Sequence, residues 1–214
     1  MQHEETSSPG DAVPAASAAP ATRKRPKPGE RRVQILQALA AMLEQPGAER
    51  VTTAALAARL EVSEAALYRH FASKAQMFEG LIDFIEQSVF SLVNQITERE
   101  APGQEQAARI IAMLVQFAEK NAGMTRVMVG DALVYENERL QSRMNQFFDK
   151  IESTLRQALR GAAADEGSAT PTVDAQVRAS ALTAFLVGRL QRYARSGFRR
   201  APSEHLEASV ALML

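Results

Sequence analysis

The sequence contains no cysteine, and its 214 residues carry no long hydrophobic run. Without cysteine there is no disulfide, no thiolate nucleophile and no cysteine-ligated zinc. No run of apolar residues exceeds six members, the length of residues 110–115, and this is far fewer than the ~20 that a membrane span needs. The N-terminal region also lacks the layout of a signal peptide. We therefore expect a soluble, cytoplasmic protein.

The chain also has no net charge, because 25 basic residues balance 25 acidic residues. The distribution along the chain is nevertheless uneven. Residues 23–32 contain six basic residues and one acidic residue, and residues 189–200 contain five arginines and no acidic residue. Such local positive patches indicate acidic partners, of which nucleic acid is one, although a solvated surface is the more frequent explanation for the second patch.

The residue patterns of catalytic and metal sites are scarce. The three histidines, His3, His70 and His205, are far apart in sequence and belong to no ligand-spaced group. There is no glycine-rich phosphate loop and no serine nucleophile elbow. Acidic pairs such as Glu136 and Glu138 lie in capping or loop contexts. We expect no enzymatic activity, no metal and no cofactor.

The chain divides into a polar tail and a helical remainder. Five prolines between residues 9 and 28 exclude a continuous helix, so residues 1–29 are predicted to be a disordered tail that ends in a basic arm. Beyond it, apolar residues recur at three- and four-residue steps and no strand signal is found. The sequence predicts an all-α protein of about nine helices, with a DNA-binding domain over residues 30–75 and a second helical domain over residues 76–214. A helix over residues 137–160 is followed by a predicted loop over residues 161–171.

Residues 51–71 have the pattern of a helix-turn-helix. Thr52 and Ser63 are each placed to cap a short helix, and Ser73 is placed to cap the long helix that follows. Leu67 and Phe71 are four residues apart, so both face the core. The other residues of the second helix of this motif are small or polar and mostly face outward, which suits entry into a DNA major groove about 12 Å wide. The alternative is three short helices that pack as a purely structural subdomain.

The outward residues of this motif, with the end of the basic arm and the start of the next helix, are the candidate DNA contacts. They are Arg31, Arg32, Thr52, Thr53, Ser63, Glu64, Ala65, Ala66, Tyr68, Arg69, His70 and Lys74.

The pattern Thr-Thr-x-x-Leu-Ala-x-x-Leu-x-Val-Ser-x-x-x-Leu-Tyr-x-His-Phe-x-Ser-Lys over residues 52–74 resembles the signature of TetR-type transcription factors. The resemblance implies an N-terminal three-helix DNA-binding domain, a helical C-terminal domain and a two-fold dimer. Glu61 departs from the pattern, since the family usually has glycine at this turn position. A turn without glycine is expected only where that residue needs no positive φ.

A narrower resemblance, to the bacterial nucleoid occlusion factors of that family, is carried by residues 32–44, 62–71, 84–86 and 139–148. It implies binding to palindromic chromosomal sites, association with the nucleoid and inhibition of the division protein FtsZ. The implied contacts for the FtsZ C-terminal tail are Phe84, Met113, Gln116, Lys120 and Asn121. Lys120 stands where these factors more often have arginine. Phe84 could equally belong to the core, and Lys120 could be an ordinary solvated helix-end charge.

An apolar face on the helix that begins near Val173 is the candidate dimer surface. A core-facing helix would show the same pattern. The members of this face are Ala181, Leu182, Phe185, Leu186 and Leu190.

The alternative function is that of a TetR-type repressor released by a small ligand. The sequence locates no pocket for such a ligand.

Overall fold

The computed structural model describes residues 29–45, 50–99 and 102–214. Over these residues it contains nine α-helices, one 3₁₀ turn and no strand, so the predicted all-α class is confirmed. The helices are α1 (Glu30–Leu43), α2 (Thr53–Arg59), α3 (Glu64–Tyr68), α4 (Lys74–Arg99), α5 (Gln104–Lys120), α6 (Ala122–Met128), α7 (Glu138–Asp165), α8 (Pro171–Arg195) and α9 (Leu206–Ala211), with the 3₁₀ turn at Asp131–Leu133 between α6 and α7. The predicted tail and residues 23–28 of the basic arm lie outside the described residues.

One hydrophobic cluster extends through the whole described structure. It begins with Ile35 and Leu39 of α1, continues through α4 and α5, and reaches Val210 of α9. The first three helices contact one another, and α4 extends from them into the C-terminal helices. Because α4 is continuous across the expected boundary at residues 75 and 76, it joins the two predicted domains rigidly.

A close packing of α1 against α6 fixes the first three helices on the rest of the protein. A Cβ atom at Gly123 of α6 would lie 2.0 Å from the carbonyl oxygen of Ala40 in α1. No real Cβ approaches a backbone atom so closely, so only glycine permits this contact.

The boundary of α7 corrects the predicted loop over residues 161–171. The helix continues through Gly161 and the three alanines that follow, and it ends at Asp165. Alanine is the strongest helix former, and Ala163 is buried against the core. These two effects outweigh the cost of one glycine.

The predicted dimer face on α8 is also corrected. Leu182, Leu186 and Leu190 are fully buried within the single chain, where α8 packs on α7, α5 and α6. They belong to the core. Of the other two members of the predicted face, Phe185 is half-buried and Ala181 is exposed. Ala181 continues an exposed stripe of apolar or small residues with Val173, Val177 and Ala184.

Candidate nucleic-acid interface

The helix-turn-helix is held in place by the predicted caps. The hydroxyl of Thr52 accepts a hydrogen bond from the N–H of Ala55 at 3.1 Å, and that of Ser63 accepts from Ala66 at 3.2 Å. Leu56 and Leu67 are buried, and Val62 packs between the helices against the same cluster. The predicted capping and core roles of these residues are confirmed.

The turn itself differs from the expectation for Glu61. This residue adopts φ 54°, in the left-handed region that glycine usually occupies. The condition under which a turn without glycine is expected is therefore not met, and the glutamate itself takes the positive φ. The turn keeps its geometry, and the left-handed backbone conformation of Glu61 costs about 1–2 kcal/mol of stability because its Cβ is crowded.

The face of α3 that points away from the core is small and polar. Glu64, Ala65, Tyr68 and Arg69 are exposed, whereas Ala66 and His70 are half-buried. The Tyr68 side chain retains 44% of its exposure. Small side chains at the first turn and a longer aromatic residue one turn later leave room for a helix to approach the floor of a groove.

Two of the candidate contacts bind each other. The hydroxyl of Thr53 donates a hydrogen bond of 2.6 Å to the Glu64 carboxylate. This bond joins the N-terminal ends of α2 and α3, and it places an acidic group at the N-terminus of α3, where the helix dipole favours it. Thr53 and Glu64 thus link the two helices at their N-terminal ends.

Arg32 is engaged with the other end of α3. Its guanidinium donates to the carbonyl oxygen of His70 and lies 4.0 Å from the centre of the Phe71 ring. Arg31, in the same first turn of α1, donates to Gln34. Both arginines are helical residues, and Arg32 fixes the C-terminal end of α3 against α1.

Lys74, at the start of α4, reaches away from α3. Its ammonium lies 2.5 Å from the Glu136 carboxylate, and the two side chains retain 26% and 10% of their exposure. No sequence pattern indicates this pair, because Glu136 is 62 residues further along the chain. The pair ties the end of the helix-turn-helix to the segment before α7.

More ion pairs continue along α4 and α7. Arg139 pairs with Glu79, and Arg143 pairs with Glu86 at 2.5 Å and with Asp83 at 2.6 Å. The hydrogen bond to Glu86 is the largest of the effects that raise the pKa of Arg143, and burial opposes it. Together with Lys74 and Glu136, these pairs hold the first half of α4 against α7.

The candidate partner-binding residues lie on the exposed sides of α4 and α5, which pack on each other. Phe84 retains 48% of its exposure, so it is not a core residue. Gln116 and Lys120 are exposed, and Met113 and Asn121 are half-buried. The Asn121 amide donates to the carbonyl oxygen of Phe117 and so closes the last turn of α5. An exposed aromatic, a methionine and a lysine on neighbouring helices suit a peptide that is partly apolar and partly acidic.

Over the three described segments, no group of three or more histidine, aspartate or glutamate side chains is arranged to hold a metal ion. None of the helices in these segments is long and apolar enough to cross a membrane.

Two family matches cover most of the described chain. Residues 35–81 match "Bacterial regulatory proteins, tetR family", and residues 105–214 match the SlmA-like "Tetracyclin repressor-like, C-terminal domain". Curated relatives extend the similarity. The chain is 49% identical over 188 residues to the nucleoid occlusion factor SlmA of Vibrio vulnificus, covering 87% of this chain and 95% of the relative. It is 50% identical over 182 residues to the SlmA of Photobacterium profundum, covering 85% and 92%.

Solved structures with low sequence identity share the fold. The fatty acid degradation regulator FadR from Bacillus halodurans has a TM-score of 0.69 at 15% identity and covers 88% of this chain and 96% of its own. The TetR family regulator PfmR from Thermus thermophilus has a TM-score of 0.63 at 23% identity, with coverage of 86% and 95%. These likenesses confirm the expected architecture.

Proposed function

This chain belongs to the SlmA-like group of the tetR family of bacterial regulatory proteins, and we propose that it is a nucleoid occlusion factor, not an enzyme. In this proposal it binds palindromic chromosomal sites as a dimer and restrains FtsZ assembly over the nucleoid. The observation that carries the proposal is the 49% identity to SlmA over 87% of the chain. The exposed face of α3 and the exposed Phe84 support its two halves.

DNA recognition is assigned to α3 and its surroundings. Tyr68 and Arg69 project from the exposed face, and the Ala65 position allows close approach. Ser63 and Thr52 leave the first turns of α3 and α2 facing outward, where backbone N–H groups and hydroxyls bind phosphate. The cationic contacts are assigned to Arg31, Arg69 and Lys74, with His70 and Arg32 at the end of α3.

Dimerisation is assigned to the exposed side of α8. Val173 and Val177 retain 58% and 62% of their exposure in the single chain. Ala181 and Ala184 continue this stripe with small side chains that allow a second helix to approach. Apolar residues exposed in a row along one helix face indicate an interface, and a two-fold pair would present two α3 helices to one palindrome.

FtsZ binding is assigned to the α4–α5 surface. Phe84 and Met113 would supply the apolar contact, and Lys120, with Gln116 and Asn121, the polar one. The exposed Phe84 ring, with Met113 on the neighbouring helix, offers an apolar contact to a peptide. This assignment explains why Phe84 lies outside the core.

The test combines genomic selection with FtsZ light scattering. Fragments that the protein retains are recovered, and the purified fragment is added with the protein to polymerising FtsZ. The expected result is that the DNA-bound protein lowers the scattering and unrelated DNA does not support the effect. Tyr68→Ala should lose DNA binding, while Phe84→Ala should bind DNA and leave the polymers intact. Full activity of both variants would refute the assignment.

A ligand-released repressor is the second candidate, and one observation favours it. A cleft of 480 Å³ lies between α5 and α9, lined by Ala108, Ala112, Leu206, Val210 and Leu214 together with polar residues at its edge. A regulatory ligand must bind one conformation better than the other. Release of the DNA by an apolar small molecule, with no effect of the protein on FtsZ, would favour this candidate.

A further inference from the structure

The arginines of residues 189–200 separate into two groups. Arg189 is structural, because its guanidinium donates to the carbonyl oxygens of Pro202 and Glu204 and to the Ser209 hydroxyl. The other four, which we call the arginine surface, are exposed: Arg192, Arg195, Arg199 and Arg200. In the part of the chain that the structure describes, none of these four guanidinium groups pairs with a carboxylate.

A buried cation lies beside this surface. Arg126 of α6 retains 8% of its exposure, and its Nε has no hydrogen-bond partner. Its guanidinium lies 5.2 Å from the centre of the Phe198 ring, which packs edge-on against Tyr193. No ion pair to Arg126 occurs among the described residues. A buried cation without a carboxylate is costly, so this arginine favours the arrival of an anionic group.

The loop that presents Arg199 and Arg200 is held in one shape. Gly197 and Phe198 adopt φ 62° and 64°, and the left-handed region is unfavourable for a bulky side chain such as that of Phe198. The Ser196 hydroxyl oxygen accepts hydrogen bonds from the backbone N–H of Arg199 at 3.1 Å and of Arg200 at 3.0 Å. The backbone of both arginines is therefore fixed before any partner binds, which lowers the entropy cost of binding.

The arginine surface lies next to the end of α5 that carries Lys120. The Ser203 N–H donates to the Glu119 carboxylate at 3.1 Å, and the Tyr193 hydroxyl donates to the Glu119 carbonyl oxygen at 3.5 Å. These bonds hold the loop after α8 against the last turn of α5. A cleft of 240 Å³ here is lined by three arginines, one carboxylate and one histidine, namely Arg189, Arg192, Arg200, Glu204 and His205.

The position of this surface favours a peptide over DNA. Arg32, near the start of α1, contacts the end of α3. Near the other end of α1, Gly123 of α6 lies against Ala40 and Glu44. Arg126 of the same helix contacts Phe198 beside the arginine surface. At 1.5 Å per residue, Arg32 and Glu44 are about 18 Å apart along the helix axis. The arginine surface thus adjoins the end of α1 that is remote from α3.

We propose that the arginine surface, with Arg126 beneath it, binds an acidic segment of the peptide whose apolar part contacts Phe84 and Met113. The inference rests on the proposed function and extends its partner site from α4 and α5 to the end of α8. Exposed arginines on α8 and on the fixed loop after it can recognise carboxylates through planar, paired hydrogen bonds. The acidic segment would replace the missing carboxylate partners.

The first test measures binding of a fluorescent peptide with the sequence of the acidic FtsZ tail to the full-length, DNA-bound protein by anisotropy. Arg199→Gln combined with Arg200→Gln should weaken binding about tenfold, or 1.4 kcal/mol, and reduce its salt dependence. Affinity for the DNA should not change. Arg99→Gln, at an exposed arginine at the end of α4, is the control and should bind the peptide like the wild type.

A second variant separates binding from folding. Arg126→Met removes a buried charge without a partner, so the melting temperature should rise while peptide affinity falls. A lower melting temperature with unchanged peptide affinity would show a structural arginine and overturn the inference.

The peptide and DNA measurements distinguish a failure of the proposed partner from a failure of the arginine surface. If the wild-type protein does not bind the peptide, both the proposed partner and this surface are refuted. If the wild type binds and the double variant binds equally well, only the surface is refuted. If the double variant instead loses affinity for DNA and retains the peptide, the surface belongs to DNA and the inference is likewise overturned.

Discussion

At the scale of single residues, Glu61 holds the α2–α3 turn in a conformation that suits glycine better. Glu61→Gly should raise the free energy of unfolding by about 0.5–1 kcal/mol, because the relief of left-handed strain exceeds the extra entropy that glycine loses. Urea denaturation measures the change. Gln87→Gly in the middle of α4 is the control and should lose about 1 kcal/mol. A loss of stability at both positions would contradict the strain.

Lys74 pairs with Glu136 and is also a candidate DNA contact. Substitutions at these two residues separate the two roles. If Lys74 also binds a phosphate, Lys74→Ala weakens DNA binding at low salt and reduces the salt slope by about 1. Glu136→Gln removes the pair but keeps the cation, so its slope should stay at the wild-type value. Titrations at several salt concentrations distinguish the two. Equal slopes in all three proteins would leave Lys74 with a purely structural role.

Residue roles were predictable from sequence where they are local. The caps at Thr52, Ser63 and Ser73 each bond an N–H three residues along the chain, so spacing alone reveals them. The partners of Lys74 and Arg143 lie 57 or more residues away in sequence, and the charge pattern contains no sign of which residues meet. The exposure of Phe84 also depends on the packing of distant helices.

At the scale of helices, the contact between α1 and α6 depends on one glycine. Gly123→Ala would place a methyl group 2.0 Å from the Ala40 carbonyl oxygen, so α1 must move. We expect a loss of about 1–3 kcal/mol of unfolding free energy and weaker DNA binding, because α1 holds α3 through Arg32. Thermal denaturation and a DNA titration measure both effects.

Gly161→Ala is the matched substitution with the opposite expected sign. Gly161 lies within α7, and nothing lies within 4 Å of an added Cβ. Alanine there should therefore stabilise the protein by up to about 1 kcal/mol. If both substitutions stabilised the protein, the close contact at Gly123 would be disproved.

Helix boundaries were predictable where strong signals mark them. α4 begins after the Ser73 cap and α5 begins after Pro102 and Gly103, both as expected. At the end of α7, Gly161 predicts a helix terminus, whereas the following alanines and the burial of Ala163 continue the helix. Termination depends on packing as well as on local propensity.

At the scale of the whole molecule, dimerisation through α8 has a direct test. Val177→Glu places a charge on the exposed stripe and should give monomers by light scattering coupled to size exclusion. Such monomers should bind a palindrome at least tenfold more weakly, since each then contacts one half-site. Val134→Glu, at another exposed valine away from α8, should remain dimeric. A dimeric Val177→Glu would place the interface elsewhere.

The sequence could not identify this surface. The leucines of α8 and its exposed stripe both recur at helical spacing, and either could face a second chain. Only the packing of α8 on α5, α6 and α7 shows that Leu182 and Leu186 are already covered. The exposed valines become informative once the core is known.

A hydroxyl-radical footprint of the wild-type protein on a selected genomic fragment tests whether two α3 helices bind one DNA site symmetrically, on which the proposed function depends. Two protected half-sites related by a two-fold axis are expected, with centres about 34–36 Å apart for a single dimer. In Tyr68→Ala, protection should be lost from both half-sites together. An asymmetric footprint, or one that Tyr68→Ala leaves unchanged, would contradict symmetric binding through α3.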